Sequence, residues 1–267
     1  MHSNIFQENA EVIKTTELAD NTFETVLLSP EISQHVKPGQ FINILPKKDW
    51  VQMMRRPMSV ASQKENTISI IYKIVGEGTE IMRNWLPGDI VDILGPLGNF
   101  WQGYEQYIPI LIGGGVGIAP IINLKNHLDD LSIDSHLIMG ARTDKEHFLD
   151  HDPVNNIYMT TDDGSLGVHG TVIDALNLIR EDKSKYKIFA CGPPAMMEAI
   201  KIFADKDNII CDLAIETIMA CGIGICQGCT VELNLTSSSQ DSYREKSALA
   251  CIDGPIFKSK DLKTCYL

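Results

Sequence analysis

Four of the seven cysteines in this 267-residue chain follow a spacing that could hold iron: Cys221-Gly-Ile-Gly-Ile-Cys226-Gln-Gly-Cys229, then Cys251. C-x4-C-x2-C with a distant fourth cysteine is the spacing of plant-type [2Fe–2S] sites, whose thiolate-held cluster carries one electron at a time. Gly222, Gly224 and Gly228 allow the tight backbone path that turns N–H groups toward the sulfur atoms. Zinc is the alternative metal. Its structural sites usually come as two C-x2-C knuckles, and here there is one. Cys265 is the only rival to Cys251 as fourth ligand, and Cys211 reads as a free thiol.

A second group of residues points to an anion. In Arg55-Arg56-Pro57-Met58-Ser59-Val60, Arg56 can fork onto a pyrophosphate, Ser59 can hydrogen-bond a flavin edge, and Met58 can pack on the ring. Ile71-Tyr72-Lys73 and Gly78-Thr79 would close over the same ligand, with Gly78 permitting close approach and Thr79 donating to phosphate. The plain alternative is a basic turn ahead of a strand. A third group is Gly113-Gly114-Gly115-Val116-Gly117-Ile118-Ala119-Pro120, which departs from a strict G-x-G-x-x-G because Ile118 stands where the third glycine belongs. Cys191-Gly192-Pro193-Pro194 lies in a like setting, between strand and helix. Two such loops at the carboxyl edge of one sheet form a crevice suited to a dinucleotide. Asp162-Asp163-Gly164-Ser165 could meet a cofactor ribose or form a polar turn.

The elements that position these groups change character along the chain. Up to about Phe100, short β-rich segments (Phe23–Leu28, Phe41–Leu45, Thr67–Ile74, Ile90–Leu94) alternate with Pro38-Gly39, Gly76-Glu77-Gly78, Pro87-Gly88-Asp89 and Gly95-Pro96-Leu97-Gly98. That rhythm predicts an antiparallel barrel or sandwich. Beyond Tyr104, strands at Tyr107–Ile112, His136–Met139, Asn156–Met159 and Lys187–Ala190 alternate with helices at Ile121–Leu128, Val172–Ile179 and Pro194–Ala204. Alternation of this kind predicts a doubly wound parallel sheet. From Ala214 the chain reads as loop, in which cysteines must stand in for a hydrophobic core, and Thr236–Asp241 reads as a polar surface loop. The expected division is a flavin-binding β-barrel over 1–102, a nicotinamide-binding α/β domain over 103–212 and a cluster module over 213–267.

Composition narrows the partners. A net charge of −12 repels phosphate backbones and anionic membranes, which argues against nucleic acid and membrane surfaces. The polar start carries no signal-peptide pattern. The apolar stretch Tyr107–Leu124 is broken by Pro109, Pro120 and glycines, which suits a buried strand and helix start rather than a membrane span. The expected compartment is the cytoplasm.

With its three motifs in this order, the chain resembles the ferredoxin–NADP reductase superfamily. Arg56-Pro57-Met58-Ser59 looks like that family's R-x-[YF]-S flavin motif, with Met58 in place of the aromatic residue. The Gly113–Pro120 and Cys191-Gly192-Pro193 loops resemble its nicotinamide loops. Glu216-Thr-Ile-Met219-Ala220-Cys221, the cluster loop, Cys251-Ile-Asp253-Gly254-Pro255 and Thr161–Ser165 are similar to the electron-transfer subunit family of NAD-dependent dihydroorotate dehydrogenase, the PyrK family. The resemblance implies FAD, a [2Fe–2S] cluster and transient NAD as cofactors, with Cys191 near the nicotinamide. It also implies a partner subunit that oxidises dihydroorotate on its own FMN, in a two-plus-two heterotetramer. Flavin subunits of hydrogenases and sulfite reductases share this architecture, as do bifurcating transhydrogenases, although the last tend to place aspartate where Cys221 stands. A stand-alone NAD(P)H:acceptor reductase and an iron–sulfur redox sensor are the readings from other classes. Arg142 beside the second strand would suit NADP, but Asp144 and Glu146 follow it at once.

Overall fold

The computed structural model describes residues 4–49, 54–179, 182–234 and 246–266. The Thr236–Asp241 run lies outside them. The first unit is built from β1 (Phe6–Ala19), β2 (Thr22–Leu28), α1 (Pro30–His35), β3 (Phe41–Leu45), β4 (Arg56–Lys64), β5 (Thr67–Lys73), α2 (Glu77–Met82) and β6 (Ile90–Leu97). Its strands close into an antiparallel barrel in the order β1-β2-β5-β4-β3-β6. Alternate residues, among them Ile42 and Ile44 of β3 and Ile68, Ile70 and Tyr72 of β5, fill the interior.

Two local readings need correction, and one strand lies where none was singled out. The polar N-terminal segment forms β1, a strand long enough to pair with both β2 and β6. Its polar residues concealed it because much of one face meets solvent. Gly76-Glu77-Gly78 does not simply break the chain: it starts α2, where the Thr79 hydroxyl accepts from the Gly76 amide (3.3 Å) and donates to the Gly76 carbonyl (3.0 Å). Gly95-Pro96 does not end β6 either. The strand runs on to Leu97 because the β3 pairing slips between Phe41 and Asn43, and proline is tolerated at such an irregularity.

The second unit follows the expected alternation: β7 (Ile108–Gly114), α3 (Ile118–Asp130), β8 (His136–Ala141), β9 (Ile157–Thr161), β10 (Val168–His169), α4 (Val172–Leu176), β11 (Tyr186–Cys191), α5 (Pro194–Asp207) and β12 (Ile210–Ala214). The sheet order is β10-β9-β8-β7-β11-β12, all parallel. Its strands are apolar on both faces because both are covered. Leu111 and Phe189 pack with α3, while Ile110, Ile112 and Ile188 pack with α4 and α5.

After β13 (Thr230–Glu232) and β14 (Ser247–Leu249), β15 (Ile256–Lys258) pairs antiparallel with β12 and becomes the seventh strand of that sheet. The last segment therefore differs from the loop-like module expected. Cys229, Val231, Ala250, Cys251, Phe257 and Leu262 belong to the same buried cluster as Met197 and Ile200 of α5. The short C-terminal stretch has too little apolar surface for a core of its own, and it shares its neighbour's.

Across the same sheet edge runs a buried ion pair. Lys187 of β11 reaches Asp212 of β12 at 2.8 Å, with side chains 10% and 12% exposed, and donates to the Gln102 carbonyl at 2.6 Å. Removing one member leaves a buried charge uncompensated. Lys187→Ala is expected to lower stability by about 3 kcal/mol in urea unfolding, and Lys187→Met with Asp212→Leu to recover most of that loss.

Candidate functional site

The cluster loop obtains its shape from left-handed residues: Gly222 at φ +73°, Gly224 at +80° and Gln227 at +57°. Glycine is required at 222 on a second count, since a Cβ there would run into the Asn43 side chain. Asn43 lies fully buried in β3 and donates to the Cys221 carbonyl (3.2 Å), fastening the loop to the barrel. The amides of Ile223 and Cys226 point at Cys221 Sγ from 3.5 and 3.4 Å. Burial pushes that thiol up, but these amides outweigh it and bring the pKa down to about 7.

The four cysteines fall into two pairs. Cys229 and Cys251 are buried with their sulfurs 3.2 Å apart, and Cys226 lies against Cys221. Among the described residues, no three His, Cys, Asp or Glu side chains converge as a single-ion site would require. Two pairs suit a two-iron cluster, in which each iron takes two thiolates, better than one tetrahedral zinc. Cys265, the rival fourth ligand, sits instead beside Glu198, whose carboxylate accepts its backbone amide at 2.8 Å. Burial, with Glu198 adding to it, pushes that thiol to about 12.

A cleft of about 240 Å³ opens between barrel and sheet. Pro57, Met58 and Ser59 of β4, Ile71, Tyr72 and Lys73 of β5, and Thr79 of α2 all line it. The hydroxyl of Tyr72 is spent inside the barrel, 3.0 Å from Thr25, and burial raises its pKa to about 12. What Tyr72 presents to the cleft is therefore not its acid. Arg56 and Gly78 stand behind this wall: a Cβ on residue 78 would come within 2.9 Å of Arg56 Nε, so Gly78 makes room for the arginine. Phe41, paired with Ser59 across β3 and β4, also lines the cleft, and so do Ile215, Glu216, Thr217, Met219 and Pro255 of the C-terminal segment, which the flavin motif did not reveal. Glu216 keeps exposed surface there, while the protein packed around it raises its carboxyl pKa by desolvation.

A second cavity, about 540 Å³, lies at the carboxyl edge of the parallel sheet. Gly114, Gly115 and Pro193 line it. Gly115 has φ +53° and faces open space. The other loop residues act by packing: a Cβ on Gly117 would strike the Cys191 carbonyl, and one on Gly192 would come within 2.5 Å of Met196. Cys191 lines neither cavity. It is buried between β7 and β12, where desolvation, with Glu216 adding to it, holds the thiol well above its usual range. Polar residues gather at this cavity. The Thr160 hydroxyl is buried without a hydrogen-bond partner, and Asp162 and Thr171 face the same space. Asp163 instead binds Ser165 within its own turn.

These sites fit the groups the motifs imply, and comparison with known proteins agrees. A family model described as the iron-sulfur cluster binding domain of dihydroorotate dehydrogenase B matches residues 216–263, and one for the oxidoreductase NAD-binding domain matches 111–201. The electron transfer subunit of dihydroorotate dehydrogenase B (NAD(+)) from Listeria monocytogenes is 32% identical over 97% of this chain and 99% of its own. That from Fusobacterium nucleatum is 30% identical over 96% and 98%. The chain belongs to this electron transfer subunit family. The structure is also similar to an NADH-dependent reduced ferredoxin-NADP oxidoreductase (TM-score 0.82, 28% identity, 96% of this chain and 90% of that one). An Amycolatopsis cytochrome P450 reductase shares the fold (TM-score 0.65, 21% identity, 78% and 68%). FAD, a [2Fe–2S] cluster and NAD are the cofactors of this flavin reductase architecture.

Two outcomes check the assignment. Cys251→Ala should abolish the visible absorbance of a [2Fe–2S] cluster in anaerobically purified protein, while Cys265→Ala retains it. Gly222→Ala, strained at φ +73° and displaced by Asn43, should lower iron content with the flavin retained. Glu146, which lines the second cavity, provides a pH test. Its hydrogen bond from Arg142 lowers its pKa from 4.5 to about 2, against desolvation and with help from Lys73. Its stabilisation is thus present above pH 4.5 and lost as pH falls toward 2. Acid unfolding of Glu146→Gln should show a weaker pH dependence across that window.

Proposed function

We propose that this chain carries electrons between a dihydroorotate-oxidising, FMN-containing catalytic subunit and NAD, in a two-plus-two cytoplasmic heterotetramer. The observation that carries this reading is one continuous segment. Ile215, Glu216, Thr217 and Met219 line the cleft that would take FAD, and two residues on, Cys221 receives the Ile223 amide in the loop that would hold the cluster. When bound, the cluster exchanges single electrons and the flavin exchanges a hydride with NAD, which joins one-electron to two-electron traffic.

The chain's own residues hold and orient these groups. Pro57, Met58, Ser59, Ile71, Tyr72, Lys73 and Thr79 would line the flavin, with Arg56 and Gly78 supporting them. Gly114, Gly115 and Pro193 would receive the dinucleotide, and Gly117, Cys191 and Gly192 would keep the two loops in contact. Cys221, Cys226, Cys229 and Cys251 would hold the cluster. In this reading, 1–102, 103–212 and 213–267 serve as flavin, nicotinamide and cluster modules, although residue 212 lies within β12 and the last two share one core.

The surface above the cluster supports docking of a partner there. Cys226 is exposed, its loop neighbours Ile223 and Ile225 are exposed too, Ile225 at 77%, and the exposed Ile252 lies beside Gly224 of the same loop. Apolar side chains clustered in the open mark an interaction surface.

The deciding experiment is an anaerobic absorbance titration with NADH, with and without a dihydroorotate-oxidising subunit. Bleaching of a bound flavin by NADH, and reduction by dihydroorotate only when the partner is present, are expected. Reduction by NADH with no dihydroorotate-driven electrons under any partner condition would favour a stand-alone reductase. Ile225→Asp should weaken partner association about ten-fold in sedimentation, with NADH bleaching of the flavin intact.

A further inference from the structure

The second cavity carries four charged side chains, Lys73, Arg142, Glu146 and Asp162, and their pairing bears on which dinucleotide fits. Arg142 immediately follows Ala141, the last residue of β8, the second strand of the parallel sheet in chain order. In open α/β sheets the end of that strand is where the adenosine ribose is read, and an arginine there can receive a 2′-phosphate. Taken by itself, the exposed Arg142 side chain would mark an NADP site.

One edge of its fork, Nε with Nη2, is however occupied. Glu146 accepts from Arg142 Nη2 at 2.5 Å and from Nε at 3.2 and 3.4 Å, and its second oxygen takes the Arg142 backbone amide at 3.2 Å. The same carboxylate binds Lys73 Nζ at 2.8 Å, which draws in the other cation of the cavity. Glu146 is itself well placed to stay: its side chain is only 14% exposed and is fixed from three directions. Asp162 adds a second negative charge facing Arg142. An exposed ion pair contributes little to stability. Here its chemical effect is larger, because phosphate recognition by arginine depends on a free fork of N–H donors.

We infer that Glu146 is the specificity-determining residue of this site: by holding the Nε–Nη2 edge of Arg142, it leaves room for a 2′-hydroxyl and denies a 2′-phosphate that bidentate edge. The inference rests on reading the second cavity as the dinucleotide site. It makes Arg142 a latent NADP determinant, silent while Glu146 is charged. Asp144, the other acid of this turn, is not needed for the effect, since its amide is turned to the Ser165 hydroxyl (2.8 Å) and the Arg142 contacts run to Glu146.

The test is calorimetric titration of the flavin- and cluster-loaded chain with 5′-AMP and with adenosine 2′,5′-diphosphate, which differ only in the 2′-phosphate. Glu146→Gln should tighten binding of the diphosphate by about ten-fold, the scale of charge-assisted hydrogen bonds to phosphate, with far less change for 5′-AMP. Adding Arg142→Ala to that variant should remove the gain. Glu146→Asp, which keeps the charge on a shorter arm, should give a smaller gain and serves if the glutamine variant does not fold. Failure of the unaltered chain to bind 5′-AMP would overturn the reading of the cavity itself. Binding of 5′-AMP with no diphosphate gain in Glu146→Gln, or a gain that survives loss of Arg142, would overturn the inference about Glu146 and leave that reading intact.

Discussion

The segment from Ile215 to Cys221 is held at both ends, and two sites depend on where it is held. At one end it leaves β12, and the Ile215 amide is tied to the Pro255 carbonyl at 2.8 Å. At the other, the Cys221 carbonyl accepts from Asn43 of the barrel. Between these points its side chains line the cleft proposed for the flavin. Electron transfer needs donor and acceptor at a fixed, short separation. Here the separation is set by a few residues clamped between two folded units, so neither cofactor site can drift without the other.

The clamp works because the three modules do not fold as beads on a string. The barrel meets the sheet through the buried Asn123 side chain, which donates to the Val60 carbonyl at 3.0 Å, and through Ala61, Ile71 and Ala119 packed together. Asn99 reaches from the end of the barrel to the Asp253 and Ile256 carbonyls of the cluster segment. The cluster segment adds a strand to the nicotinamide sheet and completes that sheet's core. Sharing a core lets a short, glycine-rich, metal-binding stretch be rigid without enough apolar surface of its own.

Glycines recur wherever backbone must come close to something. Gly117 lets the two loops at the sheet edge touch, Gly78 leaves room for the Arg56 side chain, and Gly222 lets the cluster loop seat on Asn43. In the sequence these residues read as ligand cradles. In the structure several of them are packing devices that leave other residues to meet the ligand.

The sequence by itself determined the chemistry and the fold class. Cysteine spacing, the flavin motif and the strand–loop–helix contexts are local patterns, and local patterns survive in one dimension. The barrel and the parallel sheet were legible for the same reason, since their periods are written in consecutive residues. The tertiary structure decided what depends on distant pairs. It placed Cys251 rather than Cys265 beside Cys229, and it brought Glu216 and Met219 of the C-terminal segment to the cleft proposed for the flavin. Asn43 left one trace, a polar residue inside the apolar run Phe-Ile-Asn-Ile-Leu, but nothing in the run says that its partner is Cys221. The same holds for Arg142. Its neighbours Asp144 and Glu146 are both acids in the sequence, and only the fold of the turn, with Lys73 brought over from the barrel, selects Glu146 as the one that binds it. Side-chain direction across a turn and contact across a domain seam are set by packing, and packing has no one-dimensional record.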